Sequence, residues 1–461
     1  MSLLRIFKSK GNVFIVVFIC SVIFFLSALL PSTSSQFKET TQQQGHQSST
    51  PSRNKYSRIK DDKKQQLLYS ALGHIRIGYV ANRTPDVDTP PLLVMYSCKS
   101  PQMPCGSWGK RLLDMTHAYY FSMLVDGTAF TADMSDPVGL ASYFKPHPGF
   151  MALQPSQAYH YIQQMDDNER QNKVRNLTMQ TMTLDPNINY ADHFKQGQTP
   201  VRMLQTTQWP EDSITNTFQI STPMKHLRDK YRLNELPETS EWFWLVYRLL
   251  FNPSDWLASQ LEPHRMLMGG SVTWGESLSL MDPRNQVDAT VSSSWFRIGL
   301  RLDHPYQSET SAAAAVDCWL KYIDQLCVAS KKKQCHLFVS SAIGAAPLEK
   351  IKRYNKWSLS SASSTAVVVH TVDDKYAFAT MGQDVVDVDQ KKKKALFESD
   401  EQHATSLFAR QVMDWMILSR MDYLLGSRDD DFIRTAAWAA QVQTDLLMDD
   451  TSCQIKPMMD W

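Results

Sequence analysis

Short apolar runs alternate with helical patterns over much of this 461-residue chain, and this alternation restricts the fold more than any other feature. The first unit is a run at 92–96, a helix with apolar positions from Leu112 to Leu124, and a second run at 128–132. Later strands, most of them followed by a helical pattern, are predicted at 291–298, 336–341, 365–370 and 422–426. Strands that alternate with helices pair in parallel sheets. We therefore predict an α/β fold with two Rossmann-like halves that face a cleft, at 76–290 and 291–461, and a mostly helical stretch at about 140–290.

An uncharged run of 18 residues, 13–30, has the length of a helix that crosses a bilayer core. The bases Arg5, Lys8 and Lys10 precede it, and positive charge stays on the cytoplasmic side. We predict a cytoplasmic tail at 1–12, a transmembrane signal anchor at 13–30, and a lumenal body. A cleaved signal peptide is the alternative reading, because small residues follow the run at 27–32.

The stretch behind this run is polar, and we predict a flexible stem at 31–75. The net charge of +1 is divided unevenly along the chain. The tail has three bases and no acid, the stem has seven bases and three acids, and 38 bases and 44 acids remain for the body, which gives −6. A negative body disfavours nucleic acid as a partner. Tail, anchor, stem and lumenal body together are typical of single-pass type II enzymes of the Golgi or endoplasmic reticulum membrane, although cell-surface ectodomains share this layout.

Six cysteines lie outside the apolar run, and an even number suits disulfides in an oxidising compartment. Cys98 and Cys105 bracket a short loop, so we expect them to pair. Cys318 and Cys327 fall in one predicted helix, where the helical rise separates them by about 13 Å, so we predict that they do not pair with each other. Buried free thiols are the alternative for some of the six. Two glycosylation sequons, at Asn82 and Asn176, suit a lumenal body.

Ligands of open α/β sheets bind at the carboxyl ends of the strands, so the loops there are the candidate site. After the first strand, Gly106 and Gly109 allow close backbone approach, and Arg111 at a helix N-terminus favours an anion. Packing is the alternative role of these glycines. Lys110, between them, adds a further positive charge.

Arg297 stands near the carboxyl end of the predicted strand 291–298, where its guanidinium suits a phosphate. An internal salt bridge, with Asp303 for instance, is the alternative. If the first reading holds, replacing Arg297 by Ala abolishes activity and leaves the melting temperature nearly unchanged. In the turn after the last predicted strand, Ser427 and Arg434 favour an anion, whereas the acids at 429–431 oppose one and are alternatively helix caps.

Three segments in the same order are similar to motifs of the fucosyltransferase-like GT-B superfamily, which includes protein O-fucosyltransferases and α1,2- and α1,6-fucosyltransferases. These segments are 105–112 with the helix and strand that follow it, 296–299, and 414–436. The resemblance covers about 100–145 and 291–440. Lys110, Trp295 and the acidic run 429–431 depart from the pattern of the family.

The resemblance implies inverting transfer of fucose from GDP-fucose, as donor substrate, to a glycan or glycoprotein, without a bound metal. Under it, Arg297 contacts the donor diphosphate and stabilises the charge on the departing GDP. The residues that the resemblance places in the loop at the cleft, the strand motif and the nucleotide pocket are Gly106, Gly109, Arg111, Gly299, Ser427, Phe432, Arg434 and Thr435.

The catalytic base stays open between Asp133, Asp303 and His304, which lie near predicted strand ends. Asp387 and Asp389 have the spacing found in manganese-dependent transferases, but we interpret them as part of an exposed loop before a lysine run. The leading hypothesis is therefore a lumenal fucosyltransferase. The alternative is a catalytically inactive protein of the same fold that binds glycans or acts as a scaffold, as the acids at 429–431 suggest.

Overall fold

The computed structural model describes most of the predicted body in separate stretches. They are residues 62–81, 93–98, 106–125, 129–133, 140–145, 163, 167–168, 171, 174–177, 184–195, 203–206, 209, 213–270, 272, 294–302, 309–341, 350–351, 353–354, 366–372, 401–428, 430–449 and 452–459. The predicted tail, the predicted anchor and the stem up to residue 61 lie outside these stretches. No helix within them is long and apolar enough to cross a membrane. Residues 51–461 form one compact unit.

The first helix, α1 (Asp62–Ala81), begins inside the predicted stem. Its residues Leu68, Leu72 and Ile75 are buried in the hydrophobic core. The prediction that the flexible stem reaches residue 75 is therefore wrong at its end. A helix that buries one apolar face against the body gains the packing energy that orders it.

A four-stranded parallel sheet forms the first half. Strand β1 (Leu93–Ser97) is followed by helix α2 (Trp108–Leu124) and strand β2 (Ala129–Asp133), as the sequence predicts. Strands β4 (Val174–Leu177) and β5 (Met203–Thr206) complete the order β2-β1-β5-β4. The predicted glycosylation acceptor Asn176 lies in β4, at the edge of this sheet.

The region predicted to be mostly helical contains these two strands as well as helices. The helices are α3 (Tyr190–Lys195), α4 (Lys225–Lys230), α5 (Thr239–Leu250) and α6 (Asp255–Leu261). A short antiparallel pair joins β3 (Phe144–Lys145) to β6 (Asn252–Pro253). Helix α5 begins with a capping box between Glu238 and Glu241 and buries ten of its twelve side chains, which confirms the predicted aromatic-rich helical segment.

A six-stranded sheet forms the second half, in the order β12-β11-β10-β7-β8-β9. Its strands are β7 (Trp295–Leu302), β8 (Gln334–Ser341), β9 (Ala366–His370), β10 (Tyr423–Ser427), β11 (Thr444–Asp449) and β12 (Gln454–Pro457). All neighbours are parallel except β12, which runs antiparallel to β11 at the edge. Helices α7 (Glu309–Ser330), α8 (Glu401–Leu418) and α9 (Asp431–Ala440) alternate with these strands. Two sheets dominated by parallel pairs confirm the α/β fold class.

Strand β7 separates two hydrophobic clusters. Its even-numbered residues from Phe296 to Leu302 pack with α7 in one cluster. The alternate residues Arg297, Gly299 and Arg301 point to the other face, since neighbouring side chains of a strand point in opposite directions. Helix α8 covers this second face, because a Cβ added to Gly299 would lie 2.5 Å from Leu418 Cδ2. The guanidinium groups of Arg297 and Arg301 therefore lie between the sheet and α8.

Two disulfides join parts of the second half. Cys318 is bonded to Cys453, with 5.6 Å between the Cα atoms, and Cys327 is bonded to Cys335, with 5.7 Å. The prediction that Cys318 and Cys327 do not pair with each other is confirmed. Cys98 is also disulfide-bonded, but its expected partner Cys105 lies outside the described residues.

Candidate functional site

Two strand-to-helix turns, one from each sheet, meet at a single point. Helix α2 follows the carboxyl end of β1, and helix α9 follows the carboxyl end of β10. A Cβ added to Gly109 would lie 2.3 Å from the backbone carbonyl carbon and oxygen of Asp431. The first turns of the two helices are therefore in backbone contact, which a side chain at residue 109 would prevent. This contact brings the candidate loops of both halves together.

The glycine loop before α2 is held by its own residues. Gly106 has a φ of +68°, a conformation that favours glycine. Its carbonyl oxygen accepts a hydrogen bond of 3.2 Å from Arg111 Nε, and the Arg111 guanidinium lies 5.4 Å from the ring centre of Phe408 in α8. Ser107 caps α2 by accepting from the backbone N–H of Lys110. Arg111 thus fixes the loop and also contacts the second half.

Arg297 does not lie at the carboxyl end of a strand, and this part of the sequence prediction is wrong. Strand β7 continues to Leu302, so Arg297 is its third residue. Its Nη2 and Nε donate to the two carboxylate oxygens of Asp422 at 2.6 and 3.0 Å, and its Nη1 donates to Leu267 O at 3.1 Å. Although burial acts to lower it, the pKa of Arg297 is raised by this carboxylate. The alternative reading, an internal salt bridge, describes this arginine, with Asp422 as the acid.

Gly299 also has a packing role. A Cβ at this position would lie 2.5 and 2.7 Å from the side chains of Leu418 and Leu424, which belong to α8 and to the region where β10 pairs with β7. The space above Gly299 is filled by these leucines. Its small size is required for helix–sheet packing rather than for the approach of a ligand.

The arginine at the carboxyl end of β7 is Arg301, which the sequence reading did not single out. Its Nη1 donates to Ser340 Oγ at 2.8 Å, and its guanidinium lies 4.2 Å from the ring centre of Phe432. Ser340 in turn donates to Asp414 at 2.8 Å, and Arg410 Nε donates to the other oxygen of that carboxylate at 2.9 Å. The sequence signal for Arg301 is the alternation of apolar residues at 298, 300 and 302 with Gly299 and Arg301. This alternation extends the predicted strand from residue 298 to residue 302 and places Arg301 at its end.

The described acids of the run 429–431 cap helix α9 or form ion pairs with arginines. Asp430 accepts a 2.8 Å hydrogen bond from Phe432 N–H and lies 3.8 Å from Arg301 Nε. Asp431 pairs with Arg434. Helix capping, one of the two readings of this run, is therefore confirmed for Asp430. Asp429 lies outside the described residues.

The remaining predicted nucleotide contacts are close to this turn but differ in their exposure. Ser427 is the last residue of β10 and is 8% exposed. Thr435 is fully buried, and its hydroxyl bonds Asp431 O and accepts from Trp415 Nε1 at 3.1 Å. The Arg434 guanidinium lies 5.7 Å from the ring centre of Trp438. The structure thus gathers these residues at one turn, where Thr435 holds α9 against α8.

A cluster of hydrogen-bonded polar groups lies on the first turns of α2, next to its contact with α9. Lys110 Nζ donates to Asp114 Oδ1 at 2.9 Å and to Trp209 O at 2.7 Å, and Trp209 N–H donates to the same carboxylate oxygen at 3.0 Å. Burial raises the pKa of Asp114 to about 7, although Lys110 opposes this shift. Burial lowers the pKa of His117 to about 3, with Lys110 and Arg434 adding to the effect. Lys110 is therefore engaged in the first half and does not point to an external anion.

Of the three candidate bases, only Asp133 belongs to the described residues. It is the last residue of β2 and is 4% exposed, and its backbone carbonyl accepts from Cys98 N–H at 2.8 Å. Asp303 and His304 lie outside, as do Asp387 and Asp389. No group of three metal-ligating side chains occurs within the described stretches.

Charged side chains of both signs lie at the strand-to-helix turns described above. Arg301 at a strand end, Arg111 in the glycine loop and Arg434 in α9 supply positive charge. Asp430 and Asp431 supply negative charge in the same turn. Helix N-termini add partial positive charge from their first N–H groups. A ligand phosphate at this point would compete with a carboxylate of the protein.

No protein-family model matches the chain, and no curated protein matches it. Similar solved structures include a mutant of Arabidopsis thaliana FUT1 in complex with GDP, with 11% identity, a TM-score of 0.47, and coverage of 84% of this chain and 74% of that chain. The α-1,6-fucosyltransferase NodZ soaked with GDP-fucose has 10% identity, a TM-score of 0.40, and coverage of 80% and 99%. POFUT1 in complex with GDP-fucose has 11% identity, a TM-score of 0.37, and coverage of 77% and 95%.

Proposed function

We propose that this chain is a glycosyltransferase of the fucosyltransferase-like GT-B type, which transfers fucose with inversion from GDP-fucose to a glycan or glycoprotein. The observation that carries the proposal is the backbone contact between the first turns of α2 and α9 at Gly109. Each helix follows the carboxyl end of a parallel strand, one in each sheet, the place where α/β folds bind nucleotides. The three motifs that resemble the family fall on the same two turns and on β7.

In this proposal, Arg301 has the role that the resemblance to the family implies for Arg297. A guanidinium at the carboxyl end of β7, stacked on Phe432 and directed by Ser340, is suited to hold a donor phosphate. During transfer, the bond between the sugar and the diphosphate breaks and negative charge grows on GDP, and a fixed cation stabilises that charge. Asp133 is our candidate for the base that takes the proton of the acceptor hydroxyl.

We further propose that the body lies on the lumenal side of the Golgi or endoplasmic reticulum membrane, as a single-pass type II protein anchored by residues 13–30. The support is the uncharged run with its basic flank. The disulfides Cys318–Cys453 and Cys327–Cys335 suit the same compartment.

A second candidate function is that of an inactive protein with the same fold, which binds a glycan or acts as a scaffold. The observation that favours it is the internal matching of charge, in which Asp430 faces Arg301 and Asp431 pairs with Arg434. GDP bound without turnover would support this candidate.

The experiment that tests the leading proposal uses the full-length chain in detergent, a panel of nucleotide sugars and a glycan array. Among the nucleotide sugars of the panel, we expect only GDP-fucose to be turned over, with release of GDP. This activity should be retained in the presence of a chelator. Arg301→Ala should lower GDP affinity, whereas Arg265→Ala, at an exposed arginine paired with Glu262, should leave it unchanged. Absence of both GDP binding and GDP release would refute the proposal, and loss of turnover with chelator would favour a manganese-dependent transferase.

A further inference from the structure

Arg301 is held from several sides, but the quality of these contacts differs. Ser340 Oγ accepts from its Nη1 at 2.8 Å, and the ring of Phe432 stacks under the guanidinium. The Asp414 carboxylate accepts from Ser340 at 2.8 Å and from Arg410 at 2.9 Å, so the hydroxyl is itself fixed. The contact with Asp430, in contrast, is 3.8 Å between Nε and Oδ2, which is longer than a hydrogen bond. Ser340 and Phe432 thus orient the Arg301 guanidinium, and Asp430 adds an ion pair without a hydrogen bond.

Asp430 lies where an anion would face both Arg301 and the first N–H groups of α9. One of its carboxylate oxygens accepts from Phe432 N–H, and the other faces Arg301. Both side chains are 5% exposed, so water screens their interaction weakly. The Asp430 carboxylate therefore faces the same two groups that a phosphate oxygen would bind, although it forms a hydrogen bond with only one of them, the Phe432 N–H.

We propose that Asp430 sets the affinity of the site for the donor, because its carboxylate occupies the position beside Arg301 that a donor phosphate takes. This inference rests on the proposed function. Binding of the diphosphate requires the Asp430 side chain to turn away from Arg301. The hydrogen bonds from Arg301 to Ser340 and from Ser340 to Asp414 keep the guanidinium in place while it does so. Asp430 is therefore an affinity-determining residue, and its charge, rather than its capping role, is what the donor must overcome.

The effect of removing the Asp430 charge on nucleotide affinity separates this proposal from a role as a helix cap alone. Asn caps helices about as well as Asp, so Asp430→Asn keeps the hydrogen bond to Phe432 N–H and removes only the negative charge. If Asp430 were only a cap, the variant would bind nucleotide as the wild type does. If Asp430 accepted a hydroxyl of the ligand, the variant would bind more weakly.

The test measures GDP and inorganic pyrophosphate binding to the full-length wild-type protein and to Asp430→Asn by calorimetry. We expect the variant to bind both at least about tenfold more tightly, since one like charge within a few ångströms is removed from a poorly screened site. The matched control is Asp255→Asn, which changes net charge equally at a side chain that is 93% exposed, and we expect no change in affinity. Thermal melting checks that Asp430→Asn is folded.

Three outcomes overturn the inference. Equal or weaker GDP binding by a folded Asp430→Asn protein, with binding by the wild type measurable, overturns the role of Asp430 and leaves the proposed function standing. An equal gain in affinity by Asp255→Asn reduces the effect to net charge and also overturns it. Absence of GDP binding by both the wild type and Asp430→Asn refutes the proposed function and the inference together.

Discussion

Replacing Arg297 by Ala is expected to destabilise the protein, which reverses the expectation from sequence that its melting temperature stays nearly unchanged. Arg297 and Asp422 are largely buried, and Asp422 accepts three hydrogen bonds from Arg297, at 2.6 Å from Nη2, 3.0 Å from Nε and 3.0 Å from the backbone N–H. The variant keeps only the last of these and leaves a buried carboxylate without its cation.

The magnitude follows from the cost of breaking a buried pair from one side, about 3–5 kcal/mol. The shift in melting temperature per kcal/mol falls with the size of the cooperative unit, to about 1–2 °C for a unit of this size. We therefore expect Arg297→Ala to melt about 3–10 °C below the wild type. Differential scanning calorimetry of the full-length chain measures this shift.

Two further variants show whether the reasoning is correct. Arg265→Ala removes an arginine whose side chain is 56% exposed, and an exposed pair contributes about 1 kcal/mol or less, so its melting temperature should barely move. Arg297→Met combined with Asp422→Leu removes both charges and should recover part of the lost stability. A melting temperature of Arg297→Ala within about 1 °C of the wild type would show that the pair does not stabilise the fold.

Three other changes have defined expected outcomes. Gly109→Ala should cost about 1–3 kcal/mol, because its Cβ would lie 2.3 Å from the backbone of α9; without that clash, alanine in a helix would instead stabilise, so the sign of the change in chemical denaturation decides. Because burial raises the pKa of Asp114 to about 7, the folded protein binds more protons than the unfolded one between about pH 4 and pH 7. Wild-type stability should therefore fall relative to Asp114→Asn as the pH rises through this window, by up to about 1.4 kcal/mol per pH unit, and parallel stability curves would contradict this. Removing the bridge Cys318–Cys453, with a sequence separation of 135, should cost about 5 kcal/mol, and removing Cys327–Cys335, with a separation of 8, about 2.5 kcal/mol, as measured by denaturation of the double serine variants; equal losses would contradict the chain-entropy reasoning.

The strand and helix alternation predicts most of the second half because its strands are buried and apolar. Strands β8, β9 and β10 lie within two residues of their predicted bounds. Strands β4 and β5 are not predictable in the same way, since each has four residues and includes polar ones such as Arg175 and Gln205. Their pairing with β1 is what defines them, and that pairing is a tertiary property.

The glycines show a similar limit of sequence reasoning. A glycine at the start of a helix or inside a strand indicates a place where a side chain is not tolerated, but the sequence does not say what fills the space. At Gly106 the requirement is a positive φ, at Gly109 it is the backbone of α9, and at Gly299 it is two leucine side chains. Only the tertiary contacts distinguish the approach of a ligand from the approach of another part of the chain.

The charges of the site show why a cation near a strand end is weak evidence for a bound phosphate. Arg297 and Arg301 are both buried, both face α8 and both have an acid nearby, so composition and spacing do not separate them. Geometry does, because Asp422 engages Arg297 through two hydrogen bonds of 2.6 and 3.0 Å, whereas Asp430 approaches Arg301 only to 3.8 Å. A ligand that displaced Asp422 would have to replace two charge-assisted hydrogen bonds, whereas one that displaced Asp430 would gain contacts that the carboxylate does not make. Under the proposed function, Arg301 is therefore the position at which a donor phosphate competes with an acid of the protein.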